Sequence, residues 1–218
     1  MEQVGTGIHG AARRLSVPPM IAKVGIAILA LATVVLFTIA AVHNNDLFWG
    51  DRTILSSLRI DDTAWQRFFA WFDVRGVAGV SSVLAISIVF LVFRKGPEAL
   101  VYLAMLPVMG FTIVLPKAFV NRPRPEGALE GFTDSFPSGT ATASVLLLGF
   151  LIYLIGESVV PRKLRIGLQL ALGMAIVLLG LFRMLAGEHW PSDLVGGYMA
   201  GALALVATIW AYRKLKQH

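Results

Sequence analysis

Long apolar runs separated by short polar segments organise this chain. The runs lie at about Ile21–Val42, Val77–Phe93, Ala99–Leu115, Ala141–Ile155, Ile166–Leu185 and Leu194–Tyr212. A membrane-spanning helix needs ~20 mainly apolar residues, and the pattern predicts six of them. The expected fold is an all-α, polytopic six-helix membrane bundle forming a single domain over residues 1–218. Between the first two runs, His43–Gly76 mixes Trp49, Trp65, Phe68, Phe69, Trp71 and Phe72 with charges of both signs. Aromatics at helical spacing beside a membrane predict an interfacial helix on the outer face. Its role reads as anchoring, with a lid or lipid-entry portal as the alternative, and His43 reads as an interfacial polar residue.

Local signals refine the boundaries. Met1–Met20 is polar and carries Arg13-Arg14. The apolar run behind it exceeds the ~7–15 residues of a secretory h-region, so an uncleaved signal-anchor is expected. Gly79, Ser81, Ser82 and Ser87 in the second run suit close helix packing. Pro107 in the third predicts a kink. Pro191 suits the first turn of the sixth, where a missing N–H costs nothing.

Composition narrows the class. With 56% hydrophobic and 15% charged residues, a soluble domain is excluded. The absence of cysteine excludes disulfides and thiolate metal sites. A net charge of +6 could suit nucleic acid, but its distribution argues for topology. Arg13, Arg14 and Lys23, then Arg94 and Lys95, then Arg162, Lys163 and Arg165, then Arg213, Lys214 and Lys216 all fall on one side of the predicted bundle. The positive-inside rule makes that side cytoplasmic, with both termini inside. The expected partner is the lipid bilayer with its anionic headgroups, and not nucleic acid. Charges gathered at one face also argue against a channel or transporter.

One polar loop is unusually rich. Lys117–Thr140 concentrates Lys117, Arg122 and Arg124, then delivers Pro137-Ser138-Gly139 into the next helix. A helix N-terminus presents unpaired backbone N–H groups that suit phosphate oxygens, and nearby cations deepen the well. Later, Arg183 and the stretch His189-Trp190-Pro191-Ser192-Asp193 add a cation, an imidazole and a carboxylate. The topology puts both stretches at the outer face, where packed helices would unite them in one phosphate-cleaving site.

Lys117-(x6)-Arg124-Pro125, Pro137-Ser138-Gly139 and Arg183-(x5)-His189-(x3)-Asp193 resemble the three signature motifs of the type 2 phosphatidic acid phosphatase superfamily. That superfamily includes lipid phosphatases, bacterial phosphatidylglycerophosphate and undecaprenyl diphosphate phosphatases, and vanadium haloperoxidases. The resemblance implies that Lys117, Arg124 and Arg183 hold the phosphoryl oxygens, with Ser138 and Gly139 as further donors. It implies His189 as the nucleophile of a phosphohistidine intermediate and Asp193 as the group that orients it, with no metal or cofactor. The motif-bearing part covers a little over a third of the chain.

Three departures from the pattern stand out. Arg122-Pro123 duplicates Arg124-Pro125; spacing from Lys117 selects Arg124, with Arg122 as the fallback. The third motif opens Phe182-Arg183, where the family has Ser-Arg. Thr140 stands where the second motif carries the histidine thought to protonate the leaving oxygen. Losing a general acid hurts least when the leaving group is itself a phosphate, so the expected substrate is a lipid phosphate of phosphatidylglycerophosphate type or, preferred, a lipid diphosphate of undecaprenyl diphosphate type. Alternatively Glu188, Asp134 or water supplies the proton, or the protein is a silent lipid-phosphate binder, or it passes phosphate from lipid to lipid. Size and layout point to a bacterial inner membrane with the site facing outward.

Overall fold

The computed structural model of the protein describes residues 19–42, 48, 50–60, 63–70, 77–128 and 134–217. The expectations about residues 1–18 of the Met1–Met20 leader and about His43, Trp49, Trp71 and Phe72 lie outside these residues. The described secondary structure is helical throughout: α1 Pro19–Val42, α2 Asp51–Leu58, α3 Thr63–Ala70, α4 Val77–Val92, α5 Gly96–Phe119, α6 Gly139–Glu157, α7 Arg162–Leu185 and α8 Pro191–Leu215. Most helices run past the apolar blocks by up to a turn, because polar residues at a membrane surface still satisfy their backbone by continuing the helix. Pro191 opens α8 as its sequence position predicts. α5 continues through both Pro107 and Pro116.

The protein is all-α and polytopic, with five described helices long and apolar enough to cross a membrane: α1, α5, α6, α7 and α8. That differs from the expected six. α4 has 16 residues, about 24 Å at 1.5 Å per residue. It stops at a turn in which Arg94 takes a positive φ of 55°. The single interfacial helix is also replaced, by two short ones. α2 ends at Arg59 in an extended conformation, and the next N–H, of Ile60, donates to the Leu185 carbonyl at 3.0 Å. The chain leaves the helix there because it docks on the end of α7.

The core lies between α4, α5, α6 and α8, around Val83, Tyr102, Met105, Leu146, Phe150 and Tyr212. Outward faces stay apolar: Leu31, Val34, Val92, Phe111, Phe119 and Leu170 are all exposed, as lipid contact requires. α6 and α8 approach closely. A β-carbon on Gly197 would lie 2.5 Å from the Ser138 carbonyl oxygen, and one on Gly201 would lie 2.7 Å from that of Thr142. Only glycine allows such backbone contact.

The two ends of the bundle differ. At one end Lys216 Nζ lies 3.7 Å from Glu98 and Arg213 Nε donates to Tyr153 Oη at 3.2 Å, joining the start of α5 to the ends of α6 and α8. The opposite end gathers the C-termini of α5 and α7, the N-termini of α6 and α8, and α2. All motif residues sit there.

Candidate active site

Ser138 is the N-cap of α6, its Oγ accepting from the Ala141 N–H at 3.4 Å. The Ser138 N–H donates to the Asp193 carbonyl at 2.9 Å, so the glycine-mediated approach of α6 and α8 ties the second motif to the third. Ser138, Gly139 and Thr140 are all buried, with Thr140 in the first turn of α6.

α7 ends at Leu185, and the turn through Gly187, whose φ is +73°, brings Glu188 and His189 back under the bundle. The Glu188 N–H closes that turn on the Arg183 carbonyl at 3.0 Å. His189 is fully buried. Its Nδ1 lies 3.5 Å from Asp193 Oδ2, one helical turn ahead, which turns Nε2 away from the carboxylate. Asp193 is itself fixed twice: Oδ2 accepts from the Trp190 N–H at 2.8 Å, and Oδ1 accepts from Arg122 Nη1 at 2.7 Å.

Arg122 is committed to carboxylates. Besides Asp193, it donates to Ser192 Oγ at 2.7 Å and to Asp51 Oδ2 at 2.5 Å, and it is 1% exposed. This arrangement does not favour the fallback role of phosphate ligand considered for Arg122, because a guanidinium already spanning two buried carboxylates has little capacity for a third anion. Asp51, absent from the sequence-derived candidates, is 2% exposed at the first position of α2. Its carboxylate also accepts from Ser192 N at 3.0 Å and Ser192 Oγ at 2.7 Å, capping the first turn of α8. One polar network thus runs from Asp51 through Arg122 to Asp193 and His189. Asp51 is one of several aspartates in an amphipathic outer segment and carries no local mark of this role; the docking of Leu55 on Met184 and Leu194 sets it there.

Arg124 reaches a different partner, Glu188. Its Nη1 donates to the Glu188 carbonyl at 2.8 Å and lies 3.3 Å from Glu188 Oε2. Arg183 Nη2, fully buried, lies 3.8 Å from the same oxygen. The two guanidiniums therefore converge on one anionic group, one residue from His189. Lys117, at the end of α5, directs Nζ to the Asp134 carbonyl and holds the returning arm of its loop. Trp190 donates from Nε1 to the Pro123 carbonyl at 2.9 Å. The structure thus brings Arg122, Arg124, Ser138, Arg183, Glu188, His189 and Asp193 to one end of the bundle. Lys117 joins them through the loop backbone.

Comparison with known proteins speaks for the family and the fold. The PAP2 superfamily profile matches residues 98–217. A crystal structure described as the first transmembrane PAP2-type phosphatidylglycerolphosphate phosphatase, from Bacillus subtilis, superposes with a TM-score of 0.69 at 22% identity. That match covers 87% of this chain and 96% of the other. The crystal structure of Aquifex aeolicus LpxE superposes with a TM-score of 0.55 at 23% identity, over 75% of this chain and 96% of the other. At these identities the likeness speaks for the fold. No curated protein sequence matches closely enough to count as a relative.

Proposed function

The chain belongs to the PAP2 superfamily, and on that premise we propose that it is a membrane lipid phosphatase working through a phosphohistidine on His189. The observation that carries this reading is the convergence of Arg124 and Arg183 on a single anion beside a buried imidazole backed by Asp193. Phosphoryl transfer passes through a loose transition state, so placement and charge do most of the work. In the proposed reaction a phosphoryl group takes the place of the Glu188 carboxylate between the two guanidiniums. The N-terminus of α6 at Ser138 and Gly139 supplies further donors, and Lys117 adds charge. Asp193 holds the imidazole with Nδ1 inward, Nε2 attacks phosphorus, and water later releases phosphate.

Supporting topology comes from the charges. The site lies at the end opposite Arg94, Lys95, Arg162, Lys163, Lys214 and Lys216, so the positive-inside rule makes it external, with both termini cytoplasmic. We take α4 as the sixth span: Leu84, Ile88, Val89 and Val92 are exposed apolar residues on it, while Val83 packs into the core. A short span is accommodated by local bilayer thinning.

The test is phosphate release by purified protein in detergent from undecaprenyl diphosphate, phosphatidylglycerophosphate and phosphatidic acid. Release from at least one is expected; none would leave a silent lipid-phosphate binder, and label recovered on a second lipid would indicate a transferase. Thr140 favours a diphosphate substrate, since a threonine is no general acid near neutral pH. Thr140→His is expected to raise phosphatidic acid hydrolysis by roughly tenfold or more while changing diphosphate hydrolysis little. Equal gains on both would remove the preference.

Glu188 gives a separate expectation. If its carboxylate competes with phosphate for Arg124 and Arg183, Glu188→Gln should tighten inhibition by orthovanadate about tenfold, the scale of one charge-assisted contact. Turnover should stay within a few-fold. A large fall in turnover with unchanged vanadate affinity would instead make Glu188 the proton donor.

A further inference from the structure

We infer that the cavity between α2 and the Pro123–Glu126 stretch is a second phosphate subsite, which holds the phosphate remaining on the lipid when a lipid diphosphate is cleaved. This rests on the phosphatase reading above. The cavity measures about 750 Å³, and its walls include Arg52 and Ser56 of α2 and Arg59 just past its end, together with Arg124, Glu126 and Trp190. A spacing of four residues sets Arg52 and Ser56 on one face of α2, and Arg59, extended at its end, lines the same cavity. Among the described residues the lining carries three guanidiniums, of Arg52, Arg59 and Arg124, and the Glu126 carboxylate, a positive balance that suits an anion.

The cations differ in fixity. Arg59 donates to the Glu126 carbonyl and lies across Gly127 and Gly187, where an added β-carbon would come within 2.8 Å of its side chain. Arg52 is exposed to solvent. Arg124 belongs to both places, lining the cavity while reaching Glu188 beside His189. A ligand with two adjoining phosphates can therefore span from the buried cluster into the cavity.

The chemistry closes without a proton donor. Nε2 of His189 attacks the terminal phosphorus, the bond to the bridging oxygen breaks, and its electron pair leaves on the phosphate still esterified to the lipid. Arg52 and Arg59 take up that negative charge. Water then hydrolyses the phosphohistidine to inorganic phosphate, a proton and the free imidazole. Such a leaving group agrees with Thr140 at the position where a general acid would otherwise act.

The experiment measures binding of two non-hydrolysable probes, farnesyl methylenediphosphonate and farnesyl phosphonate, to the full-length protein in detergent. Wild type is expected to bind the diphosphonate about 30-fold more tightly, and Arg52→Gln to cut that ratio about tenfold with phosphonate affinity unchanged. Arg52→Glu should abolish the preference. Equal affinities in the wild type, a ratio that both variants leave intact, or equal losses on the two probes would each overturn the subsite. Hydrolysis is scored separately with farnesyl diphosphate and farnesyl phosphate. Release from neither, with the binding preference intact, would remove the phosphatase reading and leave the subsite standing.

Discussion

Replacing His189 with alanine is expected to lower phosphate release by at least ~10³-fold on every lipid the protein cleaves, as loss of a covalent nucleophile does. Acid-labile labelling of the protein by a ³²P-bearing substrate should vanish with it. The fold should survive, because Asp193 remains held by Arg122 and by the Trp190 N–H. His189 Nδ1 approaches that carboxylate at 3.5 Å, longer than either of those two hydrogen bonds. The check is a pair of measurements on one sample: turnover, and the thermal midpoint in detergent. Loss of turnover with a midpoint within a few degrees assigns the chemistry to the imidazole. Retained labelling in His189→Ala would move the nucleophile elsewhere and undo the proposed mechanism.

Removing the Asp51 carboxylate should have the largest effect on stability. Asp51→Ala leaves Arg122, 1% exposed, with one buried carboxylate fewer, and takes the acceptor from Ser192 N. Breaking one side of a buried ion pair costs about 3–5 kcal/mol, a large share of the ~5–15 kcal/mol that holds a typical domain together. The thermal midpoint should drop by about 10 °C. Asp51→Asn, which restores an acceptor for Ser192 but no charge, should recover part of it. In the proposed mechanism Asp51 positions Asp193 through Arg122, so at permissive temperature the alanine variant should lose kcat while KM changes little. A variant with wild-type midpoint and kcat would make the network incidental.

These expectations trace to different levels of organisation. The helical class and the membrane were readable directly, and so were the polar residues that gather at one end of the bundle, because each is written in local pattern. A run such as Ala141–Ile155 must cross or be buried whatever its neighbours do. The spacing from Arg183 through His189 to Asp193 fixes which side chains a helix end and one following turn can present. Pro191 and Ser138 mark helix starts by their own backbone chemistry.

What local pattern could not decide is which polar groups answer one another. Arg122 and Arg124 are two residues apart in near-identical Arg-Pro contexts, yet one pairs with Asp51 and Asp193 and the other reaches Glu188. Nothing in the duplicated sequence separates them; the directions imposed by the loop and by the docked α2 do. Asp51 is 71 residues from its arginine and 141 from Ser192. The Val77–Phe93 run is apolar enough to read as a full span, but the helix it forms stops at 16 residues. By itself, then, the sequence determined a helical membrane protein with the residues of the candidate site at one end, since apolar length and helix-end chemistry act within a few residues. Only the tertiary structure decided the partners of each arginine, the part played by α2 and the cavity beside Arg124. Pairing buried charges is a long-range condition, met only once helices distant in sequence have packed.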